Sequence, residues 1–369
     1  MRHPTPTLAA AQRSPVVQRA VNEHHRRGSW DEMVARHDGQ PLQSWAWGEL
    51  KAQSGWLPVR LASYDGRACA QLLVRHDRGL TLAYVPRGPL LSGNTAVDQA
   101  FIDAVVRAAR SHGASFLRFE PDVLENDPGA ESVRATLRDA GFRTSERTLQ
   151  PRSSIRLDLA PSDRELKAAF SKGHRADVGR AEREGVQIRI GAPADADILH
   201  RMLEATNERK RFGIRDASYF RHLLNSFRDS ARLLIAELGG QPVAASLVVA
   251  FGRHGMYLAA GSTSIGLEHR AAHLLQWHAI RWAKGRGVLT WDLWGIADAR
   301  GRHALAAAGG TSTDAELARF EAEADRDPLD GVYRFKKGWG GFVVRTLPAF
   351  DRVFFAPAYW YWQRRSGEA

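Results

Sequence analysis

Apolar positions recur along this chain in two rhythms, one of period two and one near 3.6. "WAWGELKAQSG" places Trp47, Leu50 and Lys51 at helical spacing and stops at Gly55. "WLPVRLASYDGRACAQLLVRH" then predicts two strands around Tyr64-Asp65-Gly66, because Asp-Gly favours tight hairpin turns. "LTLAYVPRGPLL" predicts a strand ending in a Pro/Gly turn, and "AVDQAFIDAVVRAARSHG" an amphipathic helix stopped at Gly113. A buried strand over "ASFLRFEPD" and a helix over "SVRATLRDAGF" complete the series.

A similar series follows. Helices are predicted over "SDRELKAAF", where Ser162 and Glu165 make a capping box, and over "RADVGRAEREG", "DADILHRMLEATNERKRFG" and "ASYFRHLLNSFRD". "ARLLIAELGGQPVAASLVVAFGRHGMYLAAGST" predicts three strands, "AAHLLQWHAIRWAKGRG" a helix and "VLTWDLWGI" a buried strand. Hairpin, strand, helix, strand thus occurs twice, which predicts a mixed α/β (α+β) architecture in two halves. Residues 299–327 are small, polar and acidic and read as a surface insertion with a short helix over "DAELARFEAEAD". Residues 1–28 read as a flexible tail, without the apolar run of a signal peptide. "GVYRFKKGWGG", residues 331–341, reads as a strand on which only one of the two adjacent lysines faces inward, or as an edge strand with both lysines solvated.

Composition narrows the function classes. The chain has 369 residues, a length that suits two domains. No stretch approaches 18 uncharged apolar residues, so no membrane-spanning helix is expected. The single cysteine, Cys69, lies inside a strand pattern and is expected in the core; one cysteine gives no internal disulfide and fits a reducing cytosol. The formal net charge of +11 favours polyanionic partners such as nucleic acid, anionic lipid or diphosphates. His269 and His273 share a helix face without an accompanying Glu, so no metal site is expected.

Taken in order, "QSWAWGELKAQSGW", "YVPRGPLL", "LQPRSSIRLDLAPSDRELKAAFSKGHRADVGRAEREGV", "YLAAGST", "WHAIRWAKGRGVLTWDLWGI" and "GVYRFKKGWGG" resemble the Fem-type (FemABX) peptidyltransferases of bacterial cell-wall synthesis, over about residues 40–358. The resemblance implies two tandem GNAT-like domains, residues 29–160 with 346–369 and residues 161–345, without the coiled-coil arm of several members. It also implies transfer of an amino acid from aminoacyl-tRNA to a side-chain amine on the stem peptide of a peptidoglycan precursor, either lipid II or UDP-MurNAc-pentapeptide. Aminoacyl-tRNA is then a co-substrate and no cofactor is needed. A cytoplasmic monomer is expected. The aromatic, basic ending "APAYWYWQRR" suits peripheral contact with the inner membrane face as well as packing on the first domain.

Such a reaction needs fixed positive charge near the carbonyl oxygen that an amine attacks, and no covalent enzyme intermediate, because an ester is already activated. By family position, Phe335 and Lys336 match the catalytic pair, with Lys336 stabilising the oxyanion or the leaving tRNA terminus. Lys51, Arg215 and Tyr219 match a diphosphate-binding group. Arg87, in "PRGP", and Tyr257, in "MYLAAGS", are expected to contact substrate; Ser92 stands where some members carry an acid after Arg-Gly-Pro. Asp292 ends a buried strand and is expected to hold structure rather than act as base. "KGHRADVGRAEREG" and "NERKR" are candidate contacts for tRNA phosphates.

Two other readings compete. An acyl-CoA-dependent N-acyltransferase needs glycines where the pyrophosphate meets a helix start, but Arg270-Ala271-Ala272-His273 puts histidine there. A non-catalytic RNA-binding protein fits the basic charge but lacks a helix-turn-helix, zinc-knuckle or RNA-recognition signature. A related exopolysaccharide-associated acyltransferase is a further variant within the resemblance.

Overall fold

At the first hairpin, Gly66 takes a φ of 69°, and Asp65 accepts hydrogen bonds from Ser63 Oγ (2.8 Å) and the Arg67 amide (3.0 Å). Only a residue without Cβ adopts that backbone cheaply, so the dipeptide fixes where the chain reverses. The structure, a computed structural model, describes residues 17–20, 27–77, 79–145, 147–210, 213–310 and 312–365.

Among these residues the strands are β1 (Val17–Ala20), β2 (Leu57–Ser63), β3 (Cys69–Asp77), β4 (Leu80–Pro86), β5 (Phe116–Glu120), β6 (Arg143–Ser145) and β7 (Ser153–Asp158). They continue with β8 (Gln187–Gly191), β9 (Ala231–Leu238), β10 (Gln241–Phe251), β11 (His254–Ser262), β12 (Thr290–Gly295), β13 (Phe342–Arg345) and β14 (Ala349–Val353). They form two seven-stranded sheets, in the orders β1-β2-β3-β4-β5-β14-β6 and β13-β7-β12-β11-β10-β9-β8. β14 therefore returns the chain to the first sheet, between β5 and β6. The expected boundary at residue 160 falls one strand late, because β7 pairs with β12 and β13 of the second sheet. The expected tail is also corrected in part. Val17–Ala20 pairs with β2 and Arg27 opens a helix, while residues 1–16 and 21–26 lie outside the described residues.

The helices are α1 (Arg27–Arg36), α2 (Trp45–Ala52), α3 (Thr95–Ser111), α4 (Ala130–Asp139), α5 (Asp163–Ala169), α6 (Lys172–Arg183) and α7 (Ala196–Lys210). After them come α8 (Ala217–Phe227), α9 (Ser264–Glu268), α10 (Ala271–Gly285), α11 (Asp298–Gly309), α12 (Asp314–Asp325), α13 (Asp330–Lys337) and α14 (Ala356–Arg365). None of the described helices is long and apolar enough to cross a membrane. The insertion forms two helices, α11 and α12, where the sequence predicted one. Cys69 is fully buried, as its strand pattern predicts.

α3 and α4 cover one face of the first sheet, where Phe101, Ile102, Val105 and Leu137 meet Leu72, Val85 and Phe119. α6 and α10 cover one face of the second, with Val178, Trp277 and Ile280 against Leu234, Val248 and Trp291. The remaining faces share one apolar cluster: Trp47 and Leu50 of α2, with Tyr84 and Phe116, pack with Phe220 and Leu223 of α8 and Leu247 of β10. The two halves are thus joined by a common core. Arginine–carboxylate pairs seal its edge: Asp122, just after β5, takes Arg156 of β7 at 2.6 Å, and Glu125 takes Arg345 of β13 at 2.7 Å.

The returning strand carries its own lock. Arg118 Nε and Nη2 donate to both oxygens of Asp351, at 2.7 and 2.6 Å, with both side chains buried. Removing one partner strands a desolvated charge. Asp351→Ala is expected to cost about 3–5 kcal/mol, read as a lowered denaturant midpoint; a loss below about 1 kcal/mol would show that β14 is held by apolar contacts alone.

Candidate active site

The cavity between the halves begins where the second sheet opens. β11 and β12 run parallel and pair only from His254/Thr290 to Met256/Asp292. Beyond that point Tyr257–Ser262 and Trp294–Gly295 line a cavity of ≈ 780 Å³. Irregularities on both strands shape its walls. On β11 the register shifts so that Val248 opposes Tyr257 while Leu247 opposes Ala259. On β12 it shifts between Asp292 and Gly295. Each shift inserts one extra residue and re-aims the groups beside it.

The shift on β12 is built by Asp292. Its Oδ1 accepts from the Trp294 amide at 2.7 Å, and its Oδ2 takes Arg156 Nε at 3.2 Å. Trp294 is driven to a φ of 66°, rare for a residue with a side chain. This turns the carbonyls of Trp294 and Gly295 toward Lys336, whose Nζ donates to them at 3.1 and 2.6 Å. Asp292 therefore holds structure, as expected. Burial pulls the Lys336 ammonium down to about 7, and the nearby Asp292 opposes that shift.

The segment carrying Lys336 is a helix, α13, and not the expected strand. Its N-terminal Asp330 is held by Arg300 of α11 at 2.7 Å, and Arg300 also bonds Asp325 of α12. The insertion thus anchors the start of α13. At the other end His174 Nε2 lies 2.7 Å from the Phe335 carbonyl, and its Nδ1 lies 3.0 Å from Ser171 Oγ. Because a carbonyl only accepts, Nε2 carries the proton. Burial lowers the His174 pKa, which favours that neutral ring. A Cβ on Gly338 would overlap the His174 ring, which gives a physical reason for glycine directly after the lysine pair. Lys336 is buried and Lys337 exposed, so one lysine faces inward although the element is helical.

The cavity mouth collects further cations. α2 and α8 pack together and bring Lys51 Nζ to 3.5 Å from Tyr219 Oη, 4.6 Å from the Trp47 ring centre and 5.4 Å from that of Tyr219. Asp216 caps α8 by accepting from the Tyr219 amide at 2.9 Å, leaving Arg215 exposed just ahead, with its guanidinium 5.5 Å from the Tyr219 ring centre. Lys51 is pulled down to about 8, first by burial and then by Arg215 and Arg75. Arg75, on β3, escaped the sequence reading. Burial raises the pKa of Tyr219, and also that of Tyr257.

The structure therefore brings Lys51, Arg215, Tyr219, Tyr257, Phe335 and Lys336 to one cavity. Arg87 stands apart. It is buried, with Nη1 donating to Thr346 Oγ1 (3.2 Å) and Nη2 to the Pro151 carbonyl (2.7 Å), and it faces Asp122 at 3.6 Å. It supports Pro151 and Trp294 of the cavity wall from behind; its guanidinium lies 5.4 Å from the Trp294 ring centre. Ser92 donates from its hydroxyl to Asp98 of α3 at 2.7 Å and takes no part in the cavity. His273 packs against His174 and Phe335, with ring centres 4.8 and 5.1 Å apart. His273 thus stands in the first turn of α10, packed into the wall that holds α13. Much of "NERKR" lies outside the described side chains. His174 and Arg300, which position α13, left no signal in the sequence beyond the glycine after the lysine pair.

The FemAB family model matches residues 29–240, more than half of the chain. The chain belongs to this family. The Acetyltransferase (GNAT) domain model matches residues 168–337, which hold most of the second sheet. The fold is two tandem GNAT-like units. Among curated relatives, the lipid II:glycine glycyltransferase of Staphylococcus epidermidis is 23% identical over 92% of this chain and 93% of its own. The UDP-N-acetylmuramoylpentapeptide-lysine N(6)-alanyltransferase of Weissella viridescens is 28% identical over 70% of this chain and 80% of its own. The crystal structure of FemX superposes with a TM-score of 0.78 at 19% identity, covering 93% of this chain and 99% of that one.

The lowered pKa of Lys336 makes a stability prediction for this FemAB protein. Unfolded, the lysine titrates near the ordinary 10.5; folded, near 7. Between those values the unfolded chain binds more protons, so the Lys336 contribution to stability rises with pH across that window. Denaturant unfolding of wild type and Lys336→Met at pH 7 and 9.5 should show wild type gaining at least about 1 kcal/mol on the variant at the higher pH. Parallel pH profiles would show an ordinary, solvated lysine.

Proposed function

We propose that this chain transfers an aminoacyl group from aminoacyl-tRNA to the side-chain amine of a peptidoglycan stem peptide, in the cytoplasm, building an interpeptide bridge. The observation that carries the reading is a buried lysine, Lys336, in a cavity whose mouth presents Lys51 and Arg215. The relatives' names, a glycyltransferase for lipid II and an alanyltransferase for a precursor lysine, support the acceptor class.

The chemistry follows from those groups. The acceptor's diphosphate meets Lys51 and Arg215, while Tyr219 flanks it; arginine offers paired donors and lysine a point charge. The acceptor amine attacks the ester carbonyl as free base. A C–N bond forms, the ester C–O bond breaks, and the proton lost by the amine balances the one gained by the departing tRNA hydroxyl. Charge on the tetrahedral oxygen is met by the Lys336 ammonium, held in place by the two carbonyls of the β12 shift. A fixed donor of this kind lowers such a barrier by roughly 3–4 kcal/mol. Phe335 packs beside it and excludes water.

The test is incubation of purified protein with lipid- or UDP-linked precursor and a panel of charged tRNAs, read as mass added to the precursor. One aminoacyl mass increment is expected with a subset of the tRNAs. Lys336→Met should retain precursor binding and lose transfer by at least about a hundredfold. Arg215→Ala should raise KM for the precursor about tenfold or more with a smaller effect on kcat. Undiminished turnover in Lys336→Met would remove the lysine from catalysis, and the absence of any mass increment would contradict the reading as a whole.

A further inference from the structure

α14 is apolar on two opposite faces; among the described residues one is packed and the other exposed. Inward, the rings of Tyr359 and Trp362 lie 5.0 and 4.9 Å from that of Phe116. Tyr359 Oη also donates to Asp351 at 2.7 Å, and the Arg118 guanidinium sits 4.6 Å from the Trp362 ring centre. These contacts fix the helix rigidly against the first sheet. Outward, Trp360 is 58% exposed and Tyr361 50%, and Phe355, just before the helix, is 58% exposed. With Val353 they make up four of the twelve large exposed apolar residues among those described, all within nine positions. A helix that is apolar all round is ordinarily buried on all sides.

The charge around this face has one sign. From residue 352 to 365 the sequence holds no Asp or Glu and three arginines. The Arg364 guanidinium lies 3.4 Å from the Trp360 ring centre. An indole with an arginine stacked on it offers an apolar body and a cationic tip, the combination that settles at the headgroup level of a bilayer. The helix is also tied to the segment that leads to the cavity wall. Arg147 bonds the Gln363 carbonyl of α14, and the chain from Arg147 leads within two to four residues to Leu149–Pro151, part of the cavity wall.

We infer that the outward face of α14, with Phe355 before it, docks this protein on an anionic lipid surface, so that the cavity works on a lipid-linked acceptor. The second clause rests on the function proposed above; the first does not. The helix lies in the interface plane rather than crossing it, since ten residues are too short to span a bilayer.

The experiment is flotation of the full-length protein with vesicles of phosphatidylglycerol and phosphatidylcholine, or of phosphatidylcholine alone, at low and high salt. Binding is expected to the anionic vesicles, weakened by salt and by removal of the anionic lipid. The double variant Phe355→Ser/Trp360→Ser, and separately Arg364→Glu, should bind at least about tenfold more weakly with unchanged melting temperature, because these groups lie outside the packed face. The double variant should turn over a water-soluble UDP-linked acceptor at the wild-type rate and a vesicle-borne lipid-linked acceptor at least about tenfold more slowly. No wild-type binding to anionic vesicles, or undiminished binding by both variants, overturns the proposal. So does a wild-type dimer that the double variant converts to monomer, which would make the face a contact between two copies. Vesicle binding together with no transfer from any charged tRNA would overturn the proposed activity and leave the docking surface standing.

Discussion

Two backbone carbonyls hold one buried lysine, and much of the second half of the molecule is arranged to keep them there. The Trp294 and Gly295 oxygens reach Lys336 only because β12 carries an extra residue at that point, and the strand does so only because Asp292 caps it. Asp292 is in turn fixed by Arg156, and Arg156 by Asp122 of the first half. The position of the lysine is thus coupled to the way the halves meet. The arrangement is costly in isolation: burial disfavours the ammonium, and the nearby Asp292 offsets only part of that loss. A cation held short of full compensation is well placed to gain a negative charge that develops beside it.

The same logic explains the cavity mouth. Lys51 comes from α2 and Arg215 from the approach to α8, so the cluster of cations exists only when the shared apolar core brings those helices together. Repulsion from Arg215 and Arg75 adds to burial in lowering the Lys51 pKa. An anion arriving there relieves all three charges together. The insertion takes part as well, because Arg300 ties α11 and α12 to the first turn of α13.

Much of this was legible in the sequence where local chemistry decides the outcome. The Asp65-Gly66 turn, the Ser162/Glu165 capping box and the repeated order of strands and helices follow from residues within a few positions of one another. The six residues that share the cavity were found through motif order and not through periodicity. Features decided by distant partners were not legible. The segment around Lys336 reads as a strand in the sequence; it is a helix whose ends Arg300 and His174 hold. The sequence reading puts β7 in the first half, whereas its pairing partners in the second sheet lie more than 130 residues away. Arg87 looked like a substrate contact at a strand end, but the turn points it inward to Pro151, Thr346 and Asp122.

Lys336 stands as a buried, partly desolvated cation poised to meet negative charge. An NMR titration of lysine side chains, with Lys336 assigned by its absence in Lys336→Met, reads that state. A midpoint near 7 in the free protein, rising when a tetrahedral anionic analogue of the transfer intermediate occupies the cavity, is the expected result. A midpoint near the ordinary lysine value of about 10.4, unmoved by the analogue, would contradict the account.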